Sequence, residues 1–247
     1  MIIQAPQWLH VFIDIRADVA EASATFWSAA LGWKLGEHWP GHPEFRSFEP
    51  PTGDAYVHQQ VGDHGPRIHF DLEIADEAEI QQLVGLGATV VGEGAGWYPT
   101  ASPGGLPFCL VHRRDHVRPF PVQWDGHRSR LVQVCVDSPA QLHEQEVAFW
   151  RSALDWRWAP SSGDAFIGKL YPPSGSSVQL LFQRLGEDDP GTAVRAHIDL
   201  GTDDREADAE RLIQAGATLV GPGDGWIVLR DPTGMVFCTT GNSPEAP

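Results

Sequence analysis

Two short stretches hold most of the residues that could do chemistry. In WLHVFIDI (8–15), Leu9, Val11, Ile13 and Ile15 alternate with His10, Phe12 and Asp14. In RIHFDLEI (67–74), Ile68, Phe70 and Leu72 alternate with Arg67, His69, Asp71 and Glu73. Period-two alternation makes each a strand with an apolar and a polar face. If helices cover the apolar faces, His10 and His69 look out from the polar ones. Two imidazoles on facing strands can ligate a metal, shuttle a proton or hydrogen-bond a polar ligand. Asp71 stands two residues from His69 on the same face and can add a carboxylate. The alternative is a pair of strand histidines hydrogen-bonded inside a polar pocket.

The elements that position these residues occur twice. FWSAALGW (26–33) returns as FWRSALDW (149–156), and RIHFDL (67–72) as RAHIDL (195–200). GATVVGEGAGW (87–97) returns as GATLVGPGDGW (216–226). YVHQQVGD (56–63) pairs with LLFQRLGE (180–187). The offset drifts in one direction, as loop insertions would make it, so a whole domain is duplicated. Within each copy the patterns read strand, helix, three strands, and then the same again. Phe26, Ala29, Ala30 and Trp33 give a helix over 19–33, and Ile80, Leu83 and Val84 one over 77–86. Ser138-Pro139 reads as the capped start of the second copy's first helix. The expected fold is α+β, with an N-terminal domain over 1–115, a linker over 116–130 and a C-terminal domain over 131–243. The basic segment HRRDHVRPFPVQWDGHRSR (112–130) reads as an extended strap. The sharper reading of its end is an anion site at Arg128 and Arg130.

Composition narrows the function. A net charge of −16 over 247 residues disfavours nucleic acid and anionic membranes as partners. The N-terminus lacks a charged region ahead of an apolar run, and three scattered cysteines form no disulfide framework, so a cytoplasmic protein is expected.

The opening strand-helix unit, the RIHFDL and RAHIDL strands and the closing RDPTGMVFC (230–238) resemble the vicinal oxygen chelate superfamily. That superfamily includes glyoxalase I, bleomycin-resistance proteins and extradiol dioxygenases, and the nearest resemblance is to tandem glyoxalase-like domain proteins of the actinobacterial type. It implies two cupped mixed sheets, each made of two paired βαβββ units, with ligands on the first, fourth, fifth and eighth strands. Carried over, those positions are His10, Gln59, His69 and Cys109 in the first half and Gln133, Gln183, His197 and Cys238 in the second. Cys109 and Cys238 stand where a glyoxalase I has glutamate, and the two His and one carboxylate of a dioxygenase are not complete. The resemblance therefore implies binding of a small aromatic or heteroaromatic molecule, as in drug-sequestering relatives. The alternative is a lyase, isomerase or dioxygenase, either metal-free or using Zn, Fe or Ni with an atypical ligand set. His10 and His69 are the expected metal ligands, with Cys109 as a thiolate or Asp71 as a carboxylate completing the set.

Alternating glycines before Trp97 and Trp226 read as flexible turns carrying a Trp toward each cup. His38, His42, His58 and His64 read as loop histidines. The N-terminal cup is expected to be the working one, because it has His10 where the second copy has Gln133, and because Ser102 replaces the counterpart of Asp231. A monomer is expected to suffice for a complete cup, with a dimer possible.

Overall fold

The structure is a computed structural model that describes residues 8–94 and 96–246. The first half contains β1 (Leu9–Arg16), α1 (Ala20–Leu31), β2 (Lys34–Trp39), β3 (His42–Glu49), β4 (Val57–Gly62), β5 (Arg67–Ile74), α2 (Ala78–Gly85), β6 (Thr89–Val90), β7 (Trp97–Ala101) and β8 (Pro107–His112). A short β9 (Val122–Gln123) leads into the second half. There follow β10 (Arg128–Ser138), α3 (His143–Leu154), β11 (Arg157–Pro160), β12 (Phe166–Tyr171), β13 (Gln179–Arg184), β14 (Arg195–Thr202), α4 (Arg205–Gln214), β15 (Thr218–Pro222), β16 (Trp226–Arg230) and β17 (Val236–Thr240). No helix among the described residues is long and apolar enough to cross a membrane.

The first sheet runs β2-β3-β4-β1-β5-β8-β7-β6 and the second β11-β12-β13-β10-β14-β17-β16-β15, with β9 added on β10. In each, the first strand lies parallel to the fourth and antiparallel to the fifth. The two copies therefore share one topology, as two tandem α+β domains with mixed sheets.

Two boundaries differ from the sequence reading. β10 begins at Arg128, inside the expected linker, because Arg128 and Ser129 pair with Gln123 and Val122. Ser138 does not cap α3, since it is still in the β10–β13 ladder opposite Arg184, and the helix starts at His143. Nor do Arg128 and Arg130 form an anion site. Arg128 pairs with Asp203 and Glu245. Arg130 is buried and donates to carbonyls of Ser177, Pro244 and Ala246, which ties the strap's end to the C-terminal segment.

The core crosses the boundary between the halves. Trp27 and Phe26 of α1 pack on Phe237 of β17, at ring separations of 5.1 Å and 5.6 Å. Reciprocally, Trp150 of α3 packs on Phe108 of β8 at 5.1 Å and Phe70 of β5 at 5.0 Å. The first helix of each half thus seats its largest side chains on the other half's sheet. One continuous apolar cluster results, with residues from both halves.

Candidate functional site

The polar strand faces bring together an equivalent set of four residues, one His, two Asp and one Cys, in each half. In the first, His69 Nδ1 lies 2.6 Å from Asp14 Oδ1 and its Nε2 lies 3.6 Å from Asp71 Oδ1, with Cys109 in the same cluster. In the second, His197 Nδ1 lies 2.7 Å from Asp137 Oδ2 and its Nε2 lies 3.4 Å from Asp199 Oδ1, with Cys238 alongside. Burial alone would lower both imidazoles. For His69 the bonds to Asp14 and Asp71 outweigh it, and for His197 the charge of Asp137 does, so both stay protonated well above the usual histidine range. Burial pushes both thiols, Cys109 and Cys238, upward. Asp71 Oδ1 and Asp199 Oδ1 are buried, and each is ion-paired with an imidazole Nε2 only at the long separations just given, with no shorter hydrogen bond among the described residues. A buried oxygen left so is costly unless something else binds it.

Above these clusters the two cups diverge. The first is floored with rings: Phe12 stacks on His69 at 4.7 Å, and His58, Phe45 and Trp39 close around Phe12 at 4.7, 5.9 and 6.1 Å. Trp97 sits edge-on to His42 at 5.1 Å. In the second half the place of Phe12 is taken by Cys135, and that of His58 by Leu181, by strand register. A cavity of about 950 Å³ opens there. Gln133, Gln183, His197, Trp226 and Cys238 all line it, with Phe166, Lys169 and Met235, and Arg67 reaches in from the first half. Burial lowers the Lys169 ammonium, which donates to Asn242 Oδ1 at 3.1 Å. Trp226 folds back over Gly223 so closely that a Cβ on that glycine would lie 2.0 Å from the ring. The glycine-rich turn exists to let the indole reach the cup.

The expected N-terminal set does not hold together. Gln59 faces the helix layer and donates to Ala20 O at 3.0 Å. Its neighbour His58 is the β4 residue in the cup, bonded to Ser47 Oγ and His10 at 2.9 Å and 3.0 Å. His58 is no loop histidine, and burial keeps it well below the usual range, helped by its neighbours His10, His69 and His116. His10 and His69 join different donor clusters. His69 groups with Asp71 and Cys109, whereas His10 groups with Glu73 and His116 from the strap. His116 carries no signal in the sequence, because no periodicity connects it to β1. The exchange of Phe12 for Cys135 is legible in the alternation of the two strands, but the opening it leaves is not.

Comparison with known proteins agrees with the topology. A family model described as a glyoxalase-like domain matches residues 10–111 and again 133–240. No curated protein matches the sequence. Among solved structures, the chain is similar to a Mn(II)-bound glyoxalase from Novosphingobium aromaticivorans, at 18% identity and a TM-score of 0.64, over 98% of this chain and 82% of that one. It is similar to a variant of 4-hydroxymandelate synthase from Streptomyces coelicolor at 15% identity and a TM-score of 0.64, over 96% and 94%. A third likeness is to 2,2',3-trihydroxybiphenyl 1,2-dioxygenase from Sphingomonas wittichii, at 13% identity and a TM-score of 0.62, over 97% and 90%. Identities this low speak for the fold alone. With the family model spanning most of both halves, the chain belongs to the glyoxalase-like domain family of the vicinal oxygen chelate superfamily, in two tandem copies.

Proposed function

We propose that the C-terminal cup binds a small, flat, aromatic or heteroaromatic molecule beside a divalent metal ion held by His197, Asp199 and Cys238. The observation that carries this reading is a cavity of about 950 Å³ lined by His197, Asp199 and Cys238, whose donor atoms lie close enough together to share one ion. One nitrogen, one oxygen and one sulfur donor lie within reach of a single ion, and the thiolate favours zinc over harder cations. Asp137 on Nδ1 orients the imidazole so that Nε2 faces the other donors, as an outer carboxylate commonly does. Bound there, the ion would act as a Lewis acid on a ligand oxygen. Trp226 and Phe166, edge-on at 5.2 Å, offer an aromatic wall, and Lys169 offers a cation. The aromatic compounds in the names of two structural neighbours support the same ligand class. The three cysteines are unpaired, in keeping with a reducing cytoplasm.

A second reading, turnover rather than binding, is favoured by Lys169 and His197 lining one cavity, where a desolvated amine and an imidazole can exchange protons with a bound molecule. It would be a lyase, isomerase or dioxygenase reaction of the superfamily. A normal glyoxalase I reaction is disfavoured by Cys238 at the glutamate position.

The test is elemental analysis of protein purified after zinc supplementation, with binding of the aromatic anion anilinonaphthalene sulfonate followed by Trp fluorescence. Loss of one zinc equivalent in Asp199→Asn, and of dye binding in Trp226→Ala, are expected. Dye binding unaffected by Trp226→Ala, or a zinc content unchanged by Asp199→Asn, would refute the proposal.

A further inference from the structure

We propose that His10, Glu73 and His116 form a second divalent-cation site, in the N-terminal half, with a nitrogen-and-oxygen donor set. Glu73 ends the polar face of β5, is 1% exposed, and points one oxygen at both imidazoles. Its Oε1 lies 2.6 Å from His116 Nε2 and 3.7 Å from His10 Nε2. Its other oxygen, Oε2, is buried with no hydrogen-bond partner among the described residues. Metal bonds of about 2.1 Å set neighbouring donors roughly 3 Å apart, so these separations need only small adjustment to close on an ion.

One pair of tautomers gives the ring nitrogens the roles that ligation requires. A ligating histidine keeps a lone pair on the metal side and donates its other N–H outward. His10 Nδ1 meets His58 Nε2 at 3.0 Å, and His58 Nδ1 meets Ser47 Oγ at 2.9 Å. With His10 donating to His58, and His58 to Ser47, His10 Nε2 is left free. His116 Nδ1 faces Asp54 Oδ2 at 4.0 Å, and Trp8 stacks on the ring at 4.6 Å and 16°. The His10 and His116 rings meet edge to face at 5.3 Å. Two imidazoles and one carboxylate leave open positions on a first-row ion and suit iron, manganese or zinc without a thiolate. His116 lies in the strap, beyond residues 10–111 that the family model covers, so this ligand belongs to the chain and not to the domain pattern.

Cobalt(II) is the probe, because thiolate ligation adds a charge-transfer band that a nitrogen-and-oxygen site lacks. In the full chain carrying Cys109→Ser, Cys135→Ser and Cys238→Ser, all three thiol-bearing clusters among the described residues are disabled. We expect one cobalt per chain to remain, with visible d–d absorption and no sulfur charge transfer. Adding His116→Phe, which keeps a ring against Trp8, or Glu73→Gln should abolish it. No cobalt uptake at micromolar concentration by the triple serine variant, or unchanged uptake after His116→Phe, overturns the site. Should the serine variants fail to fold by circular dichroism, the unsubstituted chain is compared with His116→Phe alone. Loss of one equivalent without change in the charge-transfer band is then the supporting result, and any other result counts against it. The thiolate site proposed above is read separately by that band, so either site can fail without the other.

Discussion

Trp27 donates its indole N–H to Asp231 Oδ2 at 3.0 Å across the boundary between the halves, and buries both groups in doing so. The equivalent Trp150 has no aspartate to meet, because Ser102 stands in that turn. Its indole N–H goes to Glu146 Oε1 at 2.6 Å, one turn back on its own helix. Glu146 Oε2 then accepts from Ser102 Oγ and Gly104 N, both at 2.9 Å. Asp231 by itself takes the N–H groups of Thr233 and Met235 as well as Trp27. In the other interface this work is divided: Ser102 Oγ takes Leu106 N and Glu146 takes the rest. The carboxylate missing from the first turn has been moved to the partner helix. Ser102 is thus part of the interface, and no sign of a reshaped binding loop.

This exchange predicts compensation. Glu146→Ser should destabilise the protein by about 1–3 kcal/mol, since it leaves buried donors without an acceptor. Ser102→Asp alone should also destabilise it by placing two carboxylates together. The double variant rebuilds the Trp27–Asp231 arrangement and should recover more than half of the loss. Urea unfolding of all four proteins measures the cycle, and strictly additive losses would contradict the equivalence.

Glu146 also gives stability a pH dependence. Burial pushes its carboxyl above the ordinary range, against the bonds from Ser102, Trp150 and Gly104. A raised folded value means the protonated form suits the fold better. This contribution is complete below the unfolded value, near 4.5, and is lost as pH rises through the folded value. The stability of the unsubstituted protein relative to Glu146→Gln should therefore fall as pH rises above about 4.5. A relative stability that rises over the same range would show the sign to be wrong.

The crossed helices make the halves interdependent. Chains ending near residue 120 or starting there leave Phe108 or Phe237 without its indole cover, and each should lack a cooperative thermal transition alone. Mixed together they should regain one. In the full chain, Trp27→Ala should cost about 3–5 kcal/mol, as for other large buried aromatics. A separately expressed N-terminal half with a sharp melting transition would show that the interface is dispensable.

The cups differ at two facing strand positions, Phe12 and His58 against Cys135 and Leu181, and the first is the simpler to exchange. Cys135→Phe should fill the C-terminal cavity as Phe12 fills its own cup, and abolish dye binding. Cys135 is fully buried between Leu181 and His197 on the neighbouring strands, so the ring must push past them to reach the cavity and should cost about 1–3 kcal/mol. Phe12→Cys should instead leave a void and cost about 3 kcal/mol. Dye titration and denaturant unfolding read the two effects, and unchanged dye binding in Cys135→Phe would place the ligand elsewhere.

The sequence alone determined the duplication, the order of elements and the polar strand faces. Leu9, Val11 and Ile13 must meet the helix layer, and that local constraint was enough to turn His10 and His69 the other way. What depends on partners far along the chain could be decided only in three dimensions. On β4 the register against β1 sets Gln59 opposite Ile13 and puts His58 in the cup, and a one-residue slip in such a ladder exchanges every face. The strap brings His116 to His10 by a path with no periodicity to betray it. Which cup is open was written in Phe12 and Cys135, but only their packing shows that one ring closes a floor and one thiol leaves it clear. The crossing of α1 and α3 onto opposite sheets left no trace in either helix, because an apolar face specifies burial and not the surface that buries it.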